Sequence, residues 1–485
     1  MTPYELVRSR YIFPFELYPF QVEAVNDLGP LPKSALWFDM GTGKTITSLA
    51  IALYKLMTGE VSHVIVVMPP ILLTSWSRTI AAISGTTHVV FKGTPKQRAA
   101  LDLNKMFVLM SYPIFRLDSE RLCSEFEGKK TLLVCDESTM AKNVATATYK
   151  RVRDWSLTSH LILLSGSPLS SPADGYAPIK LIAPSIYRNL KMFEQIHANE
   201  RDFFDKITKW QNLELLNSNL MVNAMRVLKT DVIKELPPVT YTPIHYEMDS
   251  AHYKTYVEIC NDQILKLDNG DKLDFTNASA MFHAMQQIPM NREHFMQTEG
   301  QASTGVEVIE ETLAELGTGK LVVFTAYRFT NRMLIEKLAK YGVVAVYGEI
   351  SAAQQAAAID RFVDDPECRV ILLQIRSGGF GIDKLQSVCS TVLFAEMPLV
   401  PAHFHQAVAR VWRIGQHEPV TVRVLIAERS IQVRLWDVLQ EKDTLVNVCI
   451  RGFQDLRDAL AGRHTAGHCA VAAEKDRSTR QLLTV

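Results

Sequence analysis

The sequence of 485 residues has no excess of charge: 52 Lys and Arg stand against 52 Asp and Glu. That balance excludes a histone-like mode of nucleic-acid binding through bulk positive charge and confines any such interaction to a local groove. No uninterrupted apolar run is long enough to cross a bilayer. The opening stretch, MTPYELVRSRYIF, lacks the basic region, apolar core and small-residue cleavage site of a secretory signal. The seven cysteines include no CxxC pair, which argues against a ribbon-type zinc site and a disulfide framework and fits a reducing compartment. An intracellular protein without membrane association is expected. The cluster HTAGHC, with His464, His468 and Cys469, shows no fourth ligand and is a weak zinc signal.

What is present reads as two α/β domains. Apolar runs recur in SALWFD (34–39), HVIVVMPP (63–70), FVLMSY (107–112), TLLVCDE (131–137) and HLILLSGSP (160–168), each followed by turn residues and a helical pattern. Continuous Val/Ile/Leu runs without polar alternation predict strands buried on both faces of a parallel sheet. The same grammar returns in KLVVFTAY (320–327), VVAVYGE (343–349), CRVILLQIRSGG (368–379), STVLFAEMP (390–398) and VTVRVLIAE (420–428). Between the two sets, YRNLKMFEQIHANERDFFDKITKW has helical spacing, and Pro237-Pro238 in KELPPVTYTP marks a hinge. The expected domains are 1–233, with a helical insertion about 184–230, and 234–460, with another about 250–305. A flexible tail, 461–485, is expected after them.

The chemistry-bearing residues follow the strands. After SALWFD comes MGTGKT, Met40 to Thr45, and then a helical pattern. Gly41 and Gly43, with Met40 and Thr42, let backbone amides converge on phosphate oxygens. Lys44 reaches the terminal phosphates, and Thr45 can bind Mg²⁺. The full phosphate-loop pattern wants a glycine five residues before Gly43, where this chain has Phe38. In LLVCDESTMAKN (132–143), Asp136 is suited to hold Mg²⁺ and Glu137 to orient and deprotonate the attacking water. Far downstream, QAVARVWRIGQ (406–416) spaces Gln406, Arg410 and Arg413 by four and three, which on a helix gives them one face. An arginine supplied from a second domain can stabilise the charge on a reacting γ-phosphate by about 10³–10⁵ in rate. With Lys44 and Glu137 on the first domain, ATP would lie in a cleft and be hydrolysed on closure.

In order along the chain, these motifs resemble those of Swi/Snf-type ATPases of helicase superfamily two, over roughly residues 15–445. FELYPFQ resembles the adenine-reading segment, with Gln21 as the base-contacting amide. DMGTGKT, VVMPPILLTSW, SYPIF, DESTMAKN and LLSGSPLSS resemble the motifs of the first lobe, and MRVLKTDVIKELPPV (225–239) the inter-lobe signature. VVFTAY, YGEISAAQQAAAIDRFVDD, SGGFGID and QAVARVWRIGQ resemble those of the second. The resemblance implies an α/β protein of two RecA-like parallel-sheet lobes in tandem with helical insertions, using ATP and Mg²⁺. It implies a DNA-stimulated ATPase that moves along one strand of a duplex, generally without separating it. It also implies that Trp76, Ser111, Tyr112, Thr325, Ser377 and Gly378 line a groove tracking the phosphate backbone, a grip without sequence preference.

Three positions depart from the family pattern. Thr139 stands where a histidine is usual, Leu399 where a tryptophan is, and Asp383 where an asparagine is common. FAEMP and the serine after DE are similar to the fork-remodelling branch. Trp412 and Trp436, at helical spacing, are expected in the core. No chromodomain, bromodomain, nuclease or zinc-finger pattern is visible, so a monomeric motor in a bacterial or virus-infected cytoplasm is expected. Double-stranded DNA is the expected partner ahead of single-stranded DNA or RNA. The alternatives are a strand-separating DNA or RNA helicase and a nucleotide-dependent scaffold without motor activity.

Overall fold

The structure, a computed structural model, describes residues 1–203, 205–232, 236–262, 264–266, 272–274, 277–296, 303–348, 350–375 and 384–451. It divides into two compact units, one built on residues 1–234 and the other on 235–443. In the first, the apolar runs become β1 (Lys33–Phe38), β2 (His63–Met68), β4 (Phe107–Ser111), β5 (Thr131–Cys135) and β6 (His160–Leu164). They are joined by β3 (His88–Val90) and β9 (Ala224–Val227), while β7 (Ala198–Arg201) and β8 (Ile207–Trp210) form a separate hairpin. The seven-stranded sheet has the order β3-β4-β2-β5-β6-β1-β9 and is parallel throughout. Every residue of β2, β4 and β5 is buried, as strands covered on both faces must be.

The second unit holds β10 (Val239–Tyr246), β13 (Leu321–Thr325), β14 (Val343–Val346), β15 (Val370–Gln374), β16 (Thr391–Phe394) and β17 (Val420–Ala427). A small antiparallel hairpin, β11 (Ile264–Lys266) with β12 (Lys272–Asp274), stands apart. The six-stranded sheet is again parallel, in the order β10-β17-β16-β13-β15-β14. One side of its core is a stack of Phe324, Phe394 and Phe404, with successive ring centroids 5.2 and 4.6 Å apart.

Three elements differ from the sequence reading. The stretch taken as helical between the sheets is a helix only over Leu190–His197 and then turns into the β7–β8 hairpin. The turn closes on Asp202, whose N–H donates to the Lys206 carbonyl at 2.9 Å, and on Asp205, whose φ of 60° an aspartate tolerates better than most residues. The proline-rich KELPPVTYTP does not end structure at its prolines: Val239–Tyr246 is an edge strand paired with β17 along its whole length. Pro243 is accommodated because an edge strand has one side without a ladder to donate to. The three-residue β3 is too short to show as an apolar run.

The loop after β16 carries Glu396, which is 2% exposed. Its Oε2 accepts the N–H groups of Ala326 (2.9 Å) and Tyr327 (3.0 Å), and its Oε1 accepts the Thr330 hydroxyl (2.6 Å). It thereby fixes the chain where β13 gives way to the helix Arg328–Lys337, whose first N–H groups favour a negative charge. Burial nevertheless pushes its carboxyl up to about 7, against the pull of those three hydrogen bonds. A carboxyl that holds its proton more tightly folded than unfolded stabilises fully below its unfolded value and loses that contribution as pH rises through the folded one. Glu396→Gln, neutral throughout, should therefore gain stability relative to wild type by up to about 3 kcal/mol between roughly pH 4.5 and 7. Thermal melts of both proteins at about pH 5 and pH 8 check this; a gap that does not change with pH contradicts it.

Candidate active site

In a parallel sheet all strands end at one edge, where ligands of open α/β sheets bind. At that edge β6 lies between β1 and β5, so the loops after β1 and β5 flank the end of β6. The loop after β1 turns through Gly41 (φ 80°) and Gly43 (φ 84°), and Gly43 starts the helix Lys44–Met57. A Cβ on Gly43 would lie 2.2 Å from Gln21 Nε2, so glycine is required there on two counts. Thr42 is buried and donates its hydroxyl to the Asp39 carbonyl at 2.7 Å, while Met40 and Thr45 are half-buried. Lys44 Nζ donates to the carbonyls of Phe38 (2.9 Å) and Asp39 (3.2 Å). Burial holds this ammonium below the usual lysine range, while the negative charges of Glu137, Asp136 and Asp39 work the other way. At the end of β6, Gly166 keeps the crevice open. A Cβ there would stand 3.2 Å from the Met40 side chain and 3.5 Å from Lys44 Nζ.

Asp136, at the end of β5, is 5% exposed. Its Oδ2 accepts the Trp76 indole N–H at 2.8 Å and its Oδ1 accepts the N–H of Glu137 at 2.9 Å, while the Tyr112 hydroxyl donates to its backbone carbonyl at 2.9 Å. Burial raises the Asp136 carboxyl above the usual aspartate range, and the Trp76 hydrogen bond, Lys44 and the Glu137 N–H oppose the rise. Glu137 is also buried and has a left-handed backbone, φ 49° and ψ 55°, a conformation that costs a non-glycine residue about 1–3 kcal/mol. That strain sits at the residue expected to act on water.

Trp76 and Tyr112, expected in a nucleic-acid groove, are buried and hold Asp136. Ser111, at the end of β4, and Thr325, at the end of β13 in the second unit, are buried too. Thr325 Oγ1 has no hydrogen-bond partner among the described residues. Ser377 and Gly378 lie outside the described residues, as do Asp383, the segment 461–485 and the HTAGHC cluster. Gln21 is buried, its Oε1 accepting from the Tyr18 N–H at 2.9 Å and its Nε2 donating to the Thr42 carbonyl at 2.9 Å, so base reading would require exchanging the second bond.

The shared helical face of Gln406, Arg410 and Arg413 does not form. The helix Pro401–Val408 carries Gln406 but ends at Ala409, and both arginines lie in the turn that follows. Val411, in that turn, is buried in the same core as Val408. Arg410 and Arg413 are each half-buried, and Trp412 packs against the same core, as does Trp436.

Sequence reasoning missed Asp39 and Arg226 as site residues. Arg226, on β9, donates to Asp39 Oδ1 (2.6 Å), the Trp37 carbonyl (2.6 Å) and the Gly166 carbonyl (3.1 Å), and the Lys229 N–H takes Asp39 Oδ2 at 3.0 Å. One guanidinium thus ties the ends of β1, β6 and β9. The available signal was a conspicuous arginine in MRVLKTD and an aspartate directly before the phosphate loop.

A desolvated lysine and two buried carboxylates around a glycine-rich turn suit the cleavage of a phosphoanhydride, and the class these features define is a nucleotide hydrolase. A family profile for the SNF2-related domain matches residues 34–296, and one for the helicase conserved C-terminal domain matches residues 305–415. The chain belongs to the SNF2 family of helicase-like ATPases, with two RecA-like lobes. It is 25% identical over 444 residues to the human DNA annealing helicase and endonuclease ZRANB3, covering 87% of this chain and 39% of that protein. It is 26% identical over 446 residues to the Caenorhabditis elegans SWI/SNF-related matrix-associated actin-dependent regulator of chromatin subfamily A-like protein 1 homolog, covering 88% and 61%. The chain therefore spans about two fifths to three fifths of the length of these curated relatives. Among solved structures, the Sulfolobus solfataricus SWI2/SNF2 ATPase core in complex with dsDNA aligns with 92% of this chain and 95% of its own, at 22% identity and a TM-score of 0.43. No described helix is long and apolar enough to cross a membrane.

Trp76→Phe removes one donor from a buried carboxylate, a loss of about 1–3 kcal/mol. Because the indole N–H favours ionised Asp136, the acidic limb of the ATPase pH profile should move to higher pH in this variant. An unshifted limb would show that Asp136 ionisation does not control turnover.

Proposed function

We propose that this chain is a DNA-stimulated ATPase that translocates on double-stranded DNA as a monomer and remodels DNA or protein–DNA complexes. The observation that carries the reading is the Lys44–Asp136–Glu137 crevice at the end of the first sheet, in a chain whose second unit carries an arginine-bearing turn of its own. The similarity to the human protein named as a DNA annealing helicase favours DNA as the polymer. The balanced charge favours a grip through local backbone and hydroxyl contacts over a broad basic surface.

Within the first lobe, Lys44 exchanges its bonds to the Phe38 and Asp39 carbonyls for the terminal phosphates of ATP. Thr45 and Asp136 offer hard oxygen donors that fit Mg²⁺, an ion commonly bound by one or two carboxylates together with substrate phosphates. A dedicated protein cage is not needed for this, and among the described residues no group of three or more acidic, histidine or cysteine side chains forms one. When bound, Mg²⁺ neutralises phosphate charge. Glu137 accepts a proton from the attacking water, and Arg410 and Arg413 stabilise the charge on the transferred phosphoryl group, with Gln406 as a further contact.

Steady-state ATP hydrolysis measured alone and with duplex DNA, single-stranded DNA or duplex RNA tests the reading. Duplex DNA should stimulate most, with Glu137→Gln lowering stimulated turnover by about 10²-fold or more and Arg413→Ala by about 10³-fold. Turnover indifferent to every nucleic acid contradicts it. Greater stimulation by single strands would favour a strand-separating helicase.

A further inference from the structure

We propose that Lys142, through its ion pair with Asp174, is a positioning residue for Glu137, pinning the turn that follows this strained residue to the loop after β6. The inference rests on the proposed function in taking Glu137 as the group that accepts a proton from the attacking water.

A left-handed glutamate persists only where its surroundings over-determine it. On its N-terminal side the constraint comes from the sheet: the Asp136 N–H donates to the Val67 carbonyl at 2.9 Å, and the Glu137 N–H to Asp136 Oδ1 at 2.9 Å. On its C-terminal side the chain makes one short 3₁₀ turn, Ser138–Ala141. The Met140 N–H donates to the Glu137 carbonyl at 3.0 Å and the Lys142 N–H to the Thr139 carbonyl at 3.2 Å. Hydrogen bonds of this i to i+3 kind have poorer geometry than those of an α-helix, so the turn alone is a weak clamp. Packing does not fill the space behind it either. A small pocket there is lined by Ser138, Thr139 and Lys142 on one side and by Leu163 and Pro168 on the other.

The side chain of Lys142 joins the two loops. Its ammonium donates to Ser170 Oγ at 3.0 Å and to Asp174 Oδ2 at 3.1 Å. The same carboxylate oxygen accepts the N–H groups of Ser170 at 2.8 Å and Ser171 at 3.1 Å. Asp174 is therefore fixed by its own loop, within the 3₁₀ turn Pro172–Gly175, and offers the lysine a target that is already in place. That loop is anchored to the sheet where it begins: Ser165 is fully buried and its N–H donates to the Leu36 carbonyl at 3.2 Å. Gly166 comes next, against Met40 and Lys44. Lys142 thus ties the far end of the Glu137 turn to the loop that shapes the crevice beside the phosphate loop. The lysine side chain is 35% exposed and the aspartate 16%, and a partly exposed pair of this kind adds little to global stability. Its effect is on local geometry.

Lys142→Met keeps the stem but removes the ammonium, and Lys142→Arg keeps a charged donor. Turnover at saturating ATP, with and without duplex DNA, is compared for both, for Asp174→Asn and for Lys142→Met combined with Glu137→Gln. Binding of a fluorescent ATP analogue counts the intact sites. Lys142→Met should lower turnover by about tenfold while the analogue binds at full stoichiometry and within about twofold of wild-type affinity, a split that a partly unfolded enzyme would not show. Lys142→Arg should recover to within about threefold of wild type, and Asp174→Asn should lose activity as Lys142→Met does. Once Glu137 is replaced, losing the lysine should cost less than about twofold more, because its effect passes through that carboxylate. Wild-type turnover in Lys142→Met, or a further loss of about tenfold in the Glu137→Gln background, overturns the proposal. An enzyme indifferent to DNA fails the proposed function alone, since basal turnover still carries the comparison. Glu137→Gln turning over at the wild-type rate fails both.

Discussion

The structure depends on keeping the Asp136 carboxylate dry. Removing an isolated carboxylate from water costs several kcal/mol even after relaxation, so a buried one persists only with partners on its lone pairs. Here Trp76 and the Glu137 N–H occupy one position on each oxygen, and the nearby Lys44 supplies opposite charge. The mutual effect is visible in both groups, each drawn by burial toward its neutral form and by the other toward its charged one. In such a low-dielectric setting, charge developing on a phosphate interacts more strongly with fixed partners than it would in water.

The surrounding fold follows from that requirement. A parallel sheet brings the ends of β1, β5 and β6 to one edge, but β6 intervenes, so the residue there must be small. Gly166 meets that need, and its carbonyl becomes an anchor for Arg226. Trp76 comes from the helix Leu73–Ala81 after β2, the neighbour of β5, and Tyr112 from just after β4, one strand further out; both turn inward to the same aspartate. The second unit repeats the device with a different residue: Glu396, equally buried, spends its oxygens on backbone N–H groups and a threonine, fixing the chain beyond β13.

How much was legible in the sequence divides along physical lines. Ten apolar runs located ten strands, because a strand covered on both faces needs a continuous apolar code. β10 was hidden by Pro243, which reads as a breaker until its edge position is known, and the β7–β8 hairpin was hidden by aromatics that happened to fall at helical spacing. Lys44, Asp136 and Glu137 were legible because each closely follows an apolar strand. The Asp39–Arg226 pair was not, since its partners stand 187 residues apart and meet only through the β1–β9 pairing. The arginines' common face failed for a local reason: spacing alone does not show that the helix ends at Val408, before Arg410 is reached. The contacts of Trp76 and Tyr112 with Asp136 were not legible, because a motif records that a residue matters but not which way it points.

The most direct test of ATP-driven movement along a duplex is displacement of a third strand bound in the major groove of a blunt duplex, which requires passage along DNA but no strand separation. The account predicts displacement that requires hydrolysable ATP and is lost in Glu137→Gln. A third strand left in place while duplex DNA still stimulates hydrolysis would contradict it.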